Sequence, residues 1–208
     1  MGEHMKESLE VAEGTRERIL EAALVVLRDV GHGQFSVQKV AREAGIYQGN
    51  ITYYWPRRRD LVLALAVRVV DDYRRTLLAR CTPVEESSDS RAEVLMQRLI
   101  DDAVTEERVR VLPELWSLAN ADPEIARLVT TTYDAITADL IVALGVPDGH
   151  PASDAVRRAL LVAGMAVQGL TALHGHRSAG DPMLEAAREA LAEVHVPLLK
   201  EAVASARA

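Results

Sequence analysis

The chain has 208 residues, room for one medium core or for a small and a larger one, and its 49% apolar and 26% charged residues exclude a disordered chain. Aromatic residues make up only 4%, so the core must come mainly from Leu, Val and Ala, a composition that favours helices. The single Cys81 cannot close an intramolecular disulfide, no apolar run reaches the ~20 residues of a membrane span, and no secretion signal opens the chain. A cytoplasmic location without membrane attachment is expected. Met1 to Met5 read as a vector-derived scar, and residues 1–14 as a tail that is disordered or tag-derived.

The net charge of −7 is unevenly spread: residues 1–14 carry −3, residues 15–80 carry +5 and residues 81–208 carry −9. A basic module on an acidic body is the asymmetry expected when one end of a protein meets phosphate.

In chain order, Ile19, Ala22, Ala23, Val26, Leu27 and Val30 mark one face of a first helix, with Thr15 as its N-cap and Gly31 with Gly33 as its end. Ser36 caps a short second helix whose inner face is Val37, Val40, Ala41 and Ala44, and Gly45 supplies the turn after it. A third helix runs from about Gln48 to Trp55, where Pro56 stops it, and a long fourth from Arg58 to Arg80. Thr82 to Ser90 reads as a loop. Beyond it, helices are expected at Arg91–Thr105, Glu107–Asn120, Pro123–Leu144, Ser153–His174 and Asp181–Ala204, separated most clearly by 145–152 and 175–180. Pro113 and Pro197 should kink or interrupt their helices. No segment alternates with period two, so the expected fold is all-α, with about nine helices.

The third helix carries the chemistry. At about 100° per residue, Ile51 and Trp55 share one face, while Gly49 and Tyr53 point away, flanked by Asn50 and Thr52. Gln48 and Asn50 can pair bidentately with adenine, Thr52 and Tyr53 can reach base edges or phosphates, and Gly49 permits close approach. Tyr54 sits at the edge of both faces. Arg57, Arg58 and Arg59 open the next helix, where side-chain charge and free backbone N–H groups favour phosphate.

Residues 36–61, SVQKVAREAGIYQGNITYYWPRRRDL, resemble the DNA-binding domain of the tetracycline-repressor (TetR) family. The resemblance lies in Ser36, Val40-Ala41, Ala44-Gly45-Ile46, Gly49-Asn50-Ile51-Thr52-Tyr53-Tyr54-Trp55 and Arg58. It departs at Tyr47, where a capping Ser is usual, so the cap is weaker or Tyr47 makes its own DNA contact. Trp55 replaces a Phe, and Arg59 replaces a Glu and adds positive charge. The resemblance implies DNA contacts from Ser36, Gln38, Lys39, Tyr47, Gln48, Gly49, Asn50, Thr52, Tyr53, Tyr54, Arg57 and Arg58. It divides the chain into a helix-turn-helix domain at 15–61 and a helical effector-binding and dimerisation domain at 62–208, whose 107–144 region is similar to the choline-responsive BetI type.

In that body the small residues of Ser153–His174 and the Leu184, Ala187, Leu191, Val194, Leu198 seam suit either an intrachain core or a homodimer interface, and the resemblance favours the dimer. Met96, Trp116, Tyr133, Met165, Gln168 and His174 stand out as candidates to line a pocket for a small-molecule effector that is mostly apolar. His174 and His176 lack the spacing of a helical metal pair, and no phosphate loop or nucleophile elbow is present, so no metal, no cofactor and no enzymatic activity are expected. The function expected is a dimeric repressor released from a palindromic operator by a ligand. The alternatives are a ligand-independent regulator or activator and, from a different class, an all-α carrier or enzyme.

Overall fold

A computed structural model describes residues 2–81, 88–146 and 153–206. Among these residues there are nine α-helices and no strand: α1 (Gly2–Gln34), α2 (Val37–Glu43), α3 (Gln48–Tyr54), α4 (Arg58–Cys81), α5 (Ser88–Ala103), α6 (Glu106–Ala121), α7 (Pro123–Ala143), α8 (Ser153–His174) and α9 (Pro182–Ser205). The all-α fold is the one the composition and periodicity predict. Most of the loop expected at 82–90, and residues 147–152 of the second break, lie outside the described residues.

Two expectations about α1 need correction. Helix α1 already begins at Gly2, so residues 2–14 are helical and Thr15 is an interior residue, not a cap. A capping side chain permits a helix start but does not force one, and the Glu, Lys, Leu and Ala before it are helix formers. Pro113 and Pro197 interrupt neither α6 nor α9, which both continue through them.

The helix ends follow local rules. Gly31 has φ +70°, a conformation that L side chains avoid, and it breaks the regularity of α1. After α2, the Gly45 N–H donates to the Arg42 carbonyl and the Ile46 N–H to the Ala41 carbonyl, with Gly45 at φ +64°, the paired bonds of a Schellman turn. The Asp181 carboxylate accepts from the Met183 and Leu184 N–H groups at the start of α9.

The chain forms two compact units. The first comprises residues 1–72 with 114–129, and the second residues 73–113 with 130–208. The division is not contiguous, whereas the sequence reading draws a single boundary after Leu61. In the first unit Ile19, Ala23, Leu27, Val40, Ile51 and Leu61 are buried, and the second half of α6 joins them through polar bonds. The Glu114 Oε2 accepts from the His32 N–H at 2.7 Å and lies 2.8 Å from His32 Nδ1, while Ser117 Oγ lies 3.3 Å from His32 Nε2. In the second unit α5, α8 and α9 pack around Leu95, Met96, Ile100, Val156, Ala163, Val167, Leu191 and Leu199.

Candidate nucleic-acid interface

Helix α3 is anchored by burial and presents polar groups outward. Ile51 is 0% exposed and Trp55 6%, whereas Gln48, Gly49, Asn50 and Thr52 are exposed and Tyr53 is 81% exposed. Two apolar residues four apart hold the helix, and among the described residues nothing covers the remaining face. A Cβ on Gly49 would meet nothing within 4 Å, so another molecule can come close to the backbone there. The Thr52 hydroxyl donates to the Gly49 carbonyl at 3.1 Å.

Tyr54 is half-buried. Its ring stands edge-on to Tyr53 at 5.1 Å, and the Arg16 guanidinium of α1 lies 5.7 Å from the Tyr54 ring centre and 5.4 Å from that of Trp55. These cation–π contacts place a positive charge beside α3 that no local pattern announces. Tyr47 occupies the N-cap position with an extended backbone but makes no capping bond, and its side chain is 86% exposed. In α2, Ser36 Oγ accepts from the Lys39 N–H at 3.2 Å, Lys39 Nζ donates to Gln34 Oε1 at 3.4 Å, and Gln38 is exposed.

The arginine run divides into three roles. Arg58 donates from Nε to the Phe35 carbonyl at 3.1 Å and from Nη2 to the His32 carbonyl at 2.9 Å, and it stacks over the Phe35 ring. It clamps the α1–α2 connection to α4, a role the sequence does not announce. Arg59 donates to both oxygens of Asp122 at 2.7 and 3.0 Å and to Glu124 at 2.8 Å. Hydrogen bonding to Asp122 raises the pKa of Arg59, and the same bond lowers that of Asp122. The charge expected to lie open beside DNA is therefore neutralised within the unit. Arg57 is exposed; its N–H donates to Asp60 Oδ2 at 3.2 Å, so one backbone donor at the start of α4 is already occupied.

The residues singled out for an effector pocket do not form one group. Gln168 Nε2 donates to the Tyr133 hydroxyl at 2.7 Å, which joins two of them. Met96 is 0% exposed within the core, Met165 is 67% exposed on the surface, and His174 accepts from Arg177 Nε at the end of α8. Trp116 belongs to the first unit, whereas the other five belong to the second. Two functional-looking residues of the second unit stand outside the sequence-based expectations. Arg108 is 5% exposed and donates to both the Tyr73 hydroxyl and Asp102 Oδ2 at 2.6 Å. Arg108 falls in the same helical phase as Val111, Leu112 and Leu115, and a cation in an apolar stripe was the available signal. Burial raises the Tyr73 pKa, an effect that Arg108 opposes and that Asp102 and Tyr133 reinforce.

A short helix held by two apolar anchors behind a second, Ser-capped helix defines a helix-turn-helix nucleic-acid-binding module. Residues 19–65 match the model of the bacterial regulatory proteins of the tetR family. That stretch is similar to the family's DNA-binding domain, and the curated relatives that the chain matches are transcriptional regulators. The chain is 24% identical over 115 residues to the HTH-type transcriptional regulator BetI of Cronobacter sakazakii, covering 54% of this chain and 57% of that protein. It is 32% identical over 124 residues to the HTH-type transcriptional repressor LfrR of Mycolicibacterium smegmatis, covering 60% and 62%. The chain thus matches less than two thirds of the length of these curated relatives. A transcriptional regulator of Saccharomonospora viridis, solved in complex with choline, has the same fold at 20% identity, with a TM-score of 0.67 over 87% of this chain and 95% of that one.

Proposed function

We propose that this chain is a homodimeric, operator-binding transcriptional repressor of the cytoplasm that a small-molecule ligand releases from DNA. The observation that carries the reading is the face of α3, where Gln48, Asn50 and Tyr53 stand exposed over buried Ile51 and Trp55. These side chains would read base edges in a major groove, with Ser36, Gln38, Lys39, Tyr47, Thr52 and Arg57 on the flanking backbone. Dimerisation is supported by the apolar groups that one protomer leaves on α8 and α9: Leu161, Met165 and Leu173, with Met183, Val194 and Leu198. Exposed apolar groups on two helices that pack together suit an interface. Two protomers would place two recognition helices on half-sites a helical turn apart, so the operator should be palindromic.

The ligand reading rests on the second unit, which is larger than dimerisation requires and contains polar groups in its interior. Choline, the ligand of the Saccharomonospora viridis regulator, is a first compound to try. Selection from random duplexes tests the reading of DNA. A palindromic or near-palindromic consensus, bound with an affinity that falls steeply with salt, is the expected result. Recovery of no consensus at moderate salt would reject specific recognition.

A further inference from the structure

The arginines around α3 differ in what holds them. Arg58 donates to two backbone carbonyls, Arg59 to Asp122 and Glu124, and Arg68 to Asp72 and to Glu17 of α1. Arg16 is held in another way. It is exposed, and among the described residues its contacts are two aromatic faces: its guanidinium carbon lies 5.7 Å from the centre of the Tyr54 ring and 5.4 Å from that of Trp55. Glu17, the carboxylate beside it in the chain, is bound to Arg68. A ring face attracts a cation but carries no net charge. It therefore holds the guanidinium in place and leaves its charge and its N–H donors available.

The support is itself fixed. Trp55 is 6% exposed, and Tyr54 is half-buried with the Tyr53 ring edge-on to it at 5.1 Å. The cation of α1 thus rests on side chains from the end of α3, next to the exposed Tyr53. A helix that enters a major groove ~12 Å wide has phosphates along both edges, and a cation at the flank of that helix faces one of those edges. The planar fork of a guanidinium suits a phosphate, and a stacked guanidinium gives up less freedom when it binds one.

We infer that Arg16 is a phosphate contact of the DNA interface and that Tyr54 is its support, so that the interface extends from α3 and α4 to α1. This inference rests on the reading of α3 as the helix that enters the major groove. Arg16 would donate to a phosphate oxygen at the flank of the groove. Tyr54 would act through Arg16 as a positioning residue, by its ring and not by its hydroxyl. Such a contact adds affinity for every sequence and selectivity for none.

The test is a double-mutant cycle on the full chain. Affinity for the selected operator and for a scrambled duplex is measured over a series of salt concentrations, with thermal midpoints on the same preparations. Arg16→Gln should weaken binding to both duplexes roughly tenfold, the scale of one charge-assisted hydrogen bond. It should also reduce the slope of log affinity against log salt by about one per protomer, with the midpoint little changed. Tyr54→Phe should bind like the parent chain. Tyr54→Leu should weaken both duplexes by roughly two- to fivefold, the worth of an exposed cation–π contact, but have no further effect in the Arg16→Gln background. The inference is overturned if Arg16→Gln leaves the slope unchanged, if its loss is confined to the preferred operator, or if Tyr54→Leu costs as much without Arg16 as with it. A lowered midpoint with an unchanged slope would make Arg16 a brace between α1 and α3 and no more. A chain that selects no operator fails the reading of specific recognition, whereas the slope on the scrambled duplex still decides the role of Arg16.

Discussion

The face of α3 and the interior of the second unit both hold polar groups without protein partners, but the physical consequences are opposite. On α3, Gln48, Asn50 and Tyr53 are exposed, so water satisfies them at little cost and gives way when a base edge offers the same bonds. In the second unit, Arg108 Nε and Gln168 Oε1 are closed off from water, and each such group costs about 1–3 kcal/mol unless something binds it. The surface set is ready for its partner without strain. The buried set lowers the stability of the unit.

The largest effect that would break this comparison is loss of the α3 anchors. Trp55→Ala should destabilise the first unit by about 3–5 kcal/mol and abolish DNA binding with it, visible as a lowered thermal midpoint. If the midpoint held and only DNA binding fell, Trp55 would be a contact and not an anchor. Next in size, Gln48→Ala, Asn50→Ala and Tyr53→Ala should each cost ~1–3 kcal/mol on the preferred operator with unchanged stability, because each is exposed. Competition binding against scrambled duplexes checks that the loss is selective.

The neighbouring arginines sharpen the contrast between free and committed charge. Arg57→Ala should weaken binding to all sequences and reduce the slope of log affinity against log salt by about one, leaving stability unchanged. Arg58→Ala should also lower stability, because it removes the bonds to the His32 and Phe35 carbonyls. Equal stability of the two variants would show that the Arg58 clamp carries no weight.

The smallest effect concerns a third buried group without a partner. His195 on α9 is 8% exposed, its Nδ1 has no partner, and burial lowers its pKa. Because the unfolded chain takes up that proton first, stability should be full above about pH 6.5 and decline as pH falls towards the lower folded value. Thermal midpoints measured from pH 8 to pH 5 should show this slope in the parent chain and a weaker one in His195→Leu.

The helices, their order and the polar face of α3 were legible in the sequence because they depend on neighbours within a few residues. A spacing of four puts Ile51 and Trp55 on one side of any helix, and Gly45 turns the chain after α2 whatever surrounds it. The start of α1 was less legible, because a Thr that can cap a helix is equally at home inside one. The roles of the arginines and of the interior polar groups were decided by tertiary packing alone. Arg58 reaches carbonyls 23 and 26 residues away, Arg59 reaches carboxylates 63 and 65 residues away, and Gln168 meets a tyrosine 35 residues away. Periodicity shows which side of a helix turns inward. Which group waits there depends on how whole helices pack, and that packing gave Arg58 bonds to two backbone carbonyls and left buried polar atoms without partners.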